Sequence, residues 1–149
     1  MKISMHALFV IAVVATIAPQ LRAQSGPYQY FSVTPCRVVD TRNAVSTNGG
    51  PAVVAAPRSF QIRGNCGIPL TAKAVSINVT ITNATTTSWL TLWPSGTPQP
   101  SVSTINFDQN SAALGNGAIV GLSSNTADLS ITNPYGSVQV IIDVTGYFQ

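Results

Sequence analysis

The stretch Ser137-Val-Gln-Val-Ile-Ile-Asp-Val-Thr-Gly-Tyr-Phe148 decides how this chain folds. Val138, Val140, Ile142 and Val144 fall on every second position, with Gln139, Ile141, Asp143 and Thr145 between them. A period of two is the pattern of a β-strand with one face in a core. A strand this apolar needs neighbours on its edges and cover on its inner face. The rest of the chain must supply both.

Moving outward, residues 73–82 repeat the pattern: Val75, Ile77, Val79 and Ile81 face one way, Ser76, Asn78, Thr80 and Thr82 the other. That is a half-buried antiparallel strand. Further strands are predicted at 59–63, 88–93, 101–107, 117–122 and 127–132. The turn signals between them include Asn48-Gly49-Gly50-Pro51, Pro94-Ser95-Gly96 and Asn133-Pro134-Tyr135-Gly136. Short strands at spacings near ten residues predict one all-β domain, an antiparallel β-sandwich of jelly-roll-like form. Glu is absent, and Thr, Ser, Asn, Val and Gly are abundant, which agrees with that class.

The first residues read as a cleaved signal peptide over 1–23. Lys2 gives a basic start, an apolar run of about twelve residues follows, and Leu21-Arg22-Ala23 presents a cleavage site. The run falls well short of the roughly 20 residues that span a bilayer, and no later run reaches that length, so no membrane span is expected. Removing the leader also removes the only His, His6. What remains is Arg37, Arg42, Arg58, Arg63 and Lys73 against Asp40, Asp108, Asp128 and Asp143, five minus four, a net of +1. So even a balance gives no basic patch for nucleic acid. Cys36 and Cys66, the two cysteines of a chain read as exported, predict one disulfide rather than a metal site, since structural zinc takes four ligands. The expected location is extracellular or the cell surface. No metal or cofactor is expected.

Two segments together carry a resemblance. Pro35-x-Arg37-x-x-Asp40-Thr41-Arg42 near the start and Asp143-Val144-x-Gly146-Tyr147-Phe148 at the end resemble the bookends of a β-sandwich domain of exported bacterial proteins. Between them Gly67-Ile68-Pro69, Ala74-Val75-x-x-Asn78-Val79-Thr80, Leu90-Thr91-Leu92-x-Pro94-x-Gly96 and Asn106-Phe107 match in order. The resemblance implies a surface or accessory module with no established activity. The Cys36/Cys66 pair departs from it, because many members of the family lack these cysteines.

Few residues offer chemistry. Asp143 lies between Ile142 and Val144 and needs a partner where it is buried. Arg37 or Arg42 is the expected partner, locking the first strand to the last; an Asp40/Asp143 acid–base pair acting on a glycoside is the catalytic alternative. Serines and threonines have no His base in the mature chain, so an enzyme is not expected. Trp89 and Trp93, four apart on one strand, form either an outward platform for sugar rings or a packed cover beneath the loop that follows. The aromatic lead-in Tyr28, Tyr30, Phe31 and Val33, within an extended segment 24–34 ahead of a domain at 35–149, is either a strand donated to a neighbouring subunit or one paired at home. The leading expectation is a non-catalytic structural or adhesive surface module acting through protein–protein contacts and self-assembling into extracellular filaments or matrix. The second is a carbohydrate-binding module recognising cell-surface glycans.

Overall fold

Eight strands, β1(Tyr30–Asp40), β2(Arg58–Phe60), β3(Ala74–Thr82), β4(Ser88–Pro94), β5(Ile105–Phe107), β6(Ala113–Gly121), β7(Leu129–Thr132) and β8(Gln139–Phe148), account for the regular structure. They come from a computed structural model that describes residues 26–125 and 127–149. The expected leader lies outside the described residues, and no helix among those is long and apolar enough to cross a membrane.

The pairing follows one rule. β4 pairs with β5, β3 with β6, β2 with β7 and β1 with β8, all antiparallel. The chain is thus a doubled ribbon, folded at the β4–β5 connection. Rolling that ribbon sends alternate pairs to opposite sheets, one ordered β1-β8-β3-β6 and the other β2-β7-β4-β5. This is the jelly-roll sandwich. The β3–β8 and β4–β7 ladders complete the sheets.

The alternation read from the sequence decides which side chains fill the sandwich. Val75, Ile77, Val79 and Ile81 of β3 and Val140, Ile142 and Val144 of β8 meet Phe60, Leu90, Leu92, Leu129 and Ile131 of the other sheet in one buried cluster. Each such side chain contributes roughly 1.5–3 kcal/mol when fully removed from water. The strand predicted at 59–63 is shorter and earlier, Arg58–Phe60, and the one at 101–107 shrinks to Ile105–Phe107. The one at 117–122 extends backwards to Ala113.

At the N-terminus the structure corrects the expected boundaries. β1 begins at Tyr30, inside the segment 24–34 that the sequence sets apart, and pairs with the last strand of its own chain. Tyr30 faces Phe148 and Phe31 faces Tyr147, so Tyr30, Phe31 and Val33 are not donated in this structure. Tyr28 precedes the strand. The physical reason is aromatic: the Tyr30 and Phe148 rings lie 5.1 Å apart and Phe31 stacks on Tyr147 at 5.2 Å. Such pairs add about 0.5–1.5 kcal/mol beyond burial. Gly146 is part of this clasp, because a Cβ there would run into the Tyr30 ring. The ladder shifts register between Ser32 and Cys36, and Pro35, which has no N–H to give it, falls in that irregularity.

Cys36 on β1 is bonded to Cys66 in the turn after β2, with Cα atoms 5.7 Å apart and a sequence separation of 30. Closing a loop of that length stabilises the fold by about 3–4 kcal/mol in the chain-entropy model. A Cys36→Ala/Cys66→Ala double variant is expected to lose roughly that amount in urea unfolding while keeping its all-β circular dichroism.

Candidate functional site

Where β1 leaves the sheet, four charges alternate in sign. Arg37, opposite Asp143 in the β1–β8 register, donates to it twice, from Nε to Oδ1 at 2.9 Å and from Nη2 to Oδ2 at 3.1 Å. Arg42 does not reach Asp143. It turns back on Asp40, from Nε at 2.8 Å and Nη2 at 2.6 Å, while its own N–H donates to Asp40 Oδ1. Arg37 Nη1 lies 3.6 Å from Asp40 and links the two pairs. Between them Thr41 continues the ladder: its N–H donates to the Val140 carbonyl, and its hydroxyl accepts from the Val140 N–H at 2.8 Å. The bookend motif is therefore a seam between the first and last strands.

The electrostatics follow. Hydrogen bonds from Arg42 hold the Asp40 carboxyl below the usual carboxylate range against the opposing effect of burial. Hydrogen bonding to Asp143 raises Arg37, and hydrogen bonding to Asp40 raises Arg42. Guanidinium forks thus grip both carboxylates through paired hydrogen bonds.

Sequence reasoning missed the most buried pair. Asp128, 0% exposed, accepts from the backbone N–H groups of Ile62 and Arg63 at 2.7 Å each and from the Arg63 guanidinium. Arg63 Nη2 also reaches the Ser123 carbonyl at 2.7 Å. The partners lie 65 residues apart, and nothing in Ala127-Asp128-Leu129 marks that Asp as different from a turn residue. Arg58 went unnoticed too. Its guanidinium gathers the carbonyls of Ser46, Gly49, Gly50 and Pro51 and lies 4.8 Å over the Phe60 ring, and burial lowers its pKa.

The tryptophans separate. Trp93 is only 5% exposed, and its indole N–H donates to the Thr97 carbonyl at 3.1 Å. Residues 95–104 fold back over β4, where Thr91 Oγ1 donates to Val102 O and the Thr104 N–H to Leu90 O, both at 2.7 Å. The two-ring platform is therefore corrected to one ring. Trp89 is half-buried, sets its edge against exposed Tyr135 at 5.5 Å, and stands between two shallow open grooves that share Asn106. Gln99 and Ser103 line one groove, Thr87 and Asp108 the other.

The sheet edges form the last candidate surface. β2 and β5, at the edges of one sheet, have three residues each. In the other sheet the β1 edge carries Pro35 and Arg37 and two register shifts, and its Asp40 N–H is taken by Asn48 O. β6 has none of these guards. Its nine residues, Ala-Leu-Gly-Asn-Gly-Ala-Ile-Val-Gly, contain no charge and no Pro, pair with β3 without a shift, and are exposed from Ala113 to Gly117. No cluster among the described residues can hold a metal ion.

Asp128→Asn leaves Arg63 without its counter-charge and is expected to cost about 3–5 kcal/mol in urea unfolding. Arg37→Ala, at a side chain 50% exposed, is expected to cost about 1 kcal/mol or less. Comparison of this chain with family models and with curated proteins found no match.

Proposed function

We propose that the protein is an exported, non-catalytic structural or adhesive module that acts through protein–protein contacts and associates with itself. The observation that carries this reading is the open β6 edge: an uncharged strand in unbroken register with β3, whose outward N–H and C=O groups have no backbone partner among the described residues. Edges of this kind template pairing with another chain. The disulfide supports an oxidising destination outside the cytoplasm, and the leader-like start and the bookend resemblance point the same way. The gripped Asp40 and Asp143 carboxylates favour a non-catalytic role.

The oxidised protein, residues 24–149, is expected to form discrete assemblies in light scattering at micromolar concentration, with matching particles in electron microscopy. A monomer at every concentration up to the millimolar range would rule out self-association.

A second reading rests on Trp89. One half-buried ring flanked by amide, hydroxyl and carboxylate side chains is the chemistry that stacks and hydrogen-bonds a sugar. Oligosaccharides that bind there are expected to change the Trp fluorescence, and Trp89→Ala to abolish the change. Trp93→Ala would instead lower stability, because its ring is packed.

A further inference from the structure

We infer that β6 pairs with β6 of a second copy, antiparallel about a two-fold axis through Gly117, giving a closed dimer with one continuous eight-stranded sheet. This deepens the self-association proposed above and rests on it. Three features of the strand select that occupant.

The first is self-complementarity. An axis through Gly117 sets Ala113 against the partner's Gly121, Leu114 against the partner's Val120, Gly115 against the partner's Ile119 and Asn116 against the partner's Ala118. Directly opposed residues share a face of the sheet. The register with β3 shows which face. Leu114, Asn116, Ala118 and Val120 lie opposite Ile81, Val79, Ile77 and Val75, on the core side, while Ile119 and Gly115 lie on the outer side opposite Ser76 and Thr80. Ile119 is a large apolar side chain left 68% exposed. In the two-fold register each Ile119 lies across from the partner's Gly115, where no side chain of β6 opposes it, and Gly117 leaves the axis itself open.

The second is charge. Arg37, Arg42 and Arg63 are tied to Asp143, Asp40 and Asp128, and Arg58 is spent on carbonyls. Among the described residues, Lys73 and Asp108 take part in no ion pair, and they flank opposite ends of β6. Asp108 stands in the turn that leads into Ala113, and the Lys73 carbonyl accepts the Leu122 N–H just past Gly121. The antiparallel arrangement brings Asp108 of each copy to the end that carries the partner's Lys73. Charges of opposite sign thus share each rim, and the middle of the contact is free of charge.

The third is sufficiency. Alternate residues of an edge strand turn both backbone groups outward, so two nine-residue strands can form about eight to ten inter-strand hydrogen bonds. That lies within the range of roughly five to fifteen for a stable protein interface. Growth stops at two copies, because β1, the other edge of the same sheet, is guarded by Pro35, Arg37 and its bulges.

The test is a cysteine scan of the oxidised protein, residues 24–149, read by non-reducing gel and light scattering. A Cβ at Gly117 meets nothing within 4 Å, so Gly117→Cys is tolerated by the fold. On the axis, its Cα would stand about 4.5–5.5 Å from the partner's, within disulfide reach. The expected result is a covalent dimer from Gly117→Cys and none from Ala113→Cys, whose own copy across the axis lies far down the strand. Ile119→Lys, at an exposed position, is expected to weaken the wild-type dimer at least about tenfold while leaving the melting temperature of the dilute monomer unchanged. Assemblies that persist with Ile119→Lys and give no Gly117→Cys cross-link would overturn this inference while leaving self-association in place. Filaments, or a β6 edge cross-linking to β1, would overturn it in the same way. A monomer throughout would overturn both.

Discussion

Everything in this molecule depends on the pairing of its first strand with its last. A jelly roll is a ribbon doubled on itself, so β1 and β8 meet across nearly the whole length of the domain, and the chain entropy of that closure must be offset locally. Four devices are concentrated on the seam: the Tyr30–Phe148 and Phe31–Tyr147 ring pairs, the bidentate Arg37–Asp143 fork, the Thr41–Val140 exchange of hydrogen bonds, and the disulfide from Cys36. The two sequence motifs at the ends of the domain are the two halves of this seam. Their glycine, aromatic, arginine and aspartate residues each have a partner in the other half or beside it.

That distribution explains what the sequence disclosed and what it concealed. β3 and β8 are legible because one face of each is wholly buried in the core while the other, Ile141 and Gly146 apart, is only half-buried, and a covered face writes a period of two. β6 is an edge with a largely exposed inner face at its start, so its Gly-rich first half carries no alternation and the pattern predicts only its second half. Arg37 with Asp143 could be anticipated, since both belong to end motifs and a strand carboxylate needs a partner. Arg63 with Asp128 could not, because the Asp is recruited by two backbone N–H groups whose location depends on the path of the chain after β2.

Trp93 shows a subtler limit. Alternation correctly assigns Trp89, Thr91 and Trp93 to the face of β4 away from Leu90 and Leu92. It says nothing about what lies above that face. Residues 95–104 supply a lid of backbone carbonyls there, capturing the Trp93 indole and the Thr91 hydroxyl, and the neighbouring Thr132 hydroxyl is likewise taken by the Ala55 carbonyl. An outward-facing residue is thus exposed only when no loop returns over it, and loop paths are set by tertiary contacts rather than by local periodicity.

The scarcity of charge acquires its meaning from where the few charges go. Three Arg–Asp pairs and one carbonyl-bound Arg consume most of them in the interior or along the seam. Little is left to repel another copy. Were the charges merely few, both edges of the β1-β8-β3-β6 sheet would be open, and β1 of one copy could join β6 of the next without end. The two edges are instead unlike. β1 carries a proline, two charged side chains and two irregularities, while β6 carries no proline and no charge and keeps an unbroken register. An assembly that uses only the β6 edge must be isologous, and an isologous contact closes on itself. In the dimer proposed above, the guarding of β1 sets the size of the assembly, and the seam that holds the fold shut is the same feature that limits its growth.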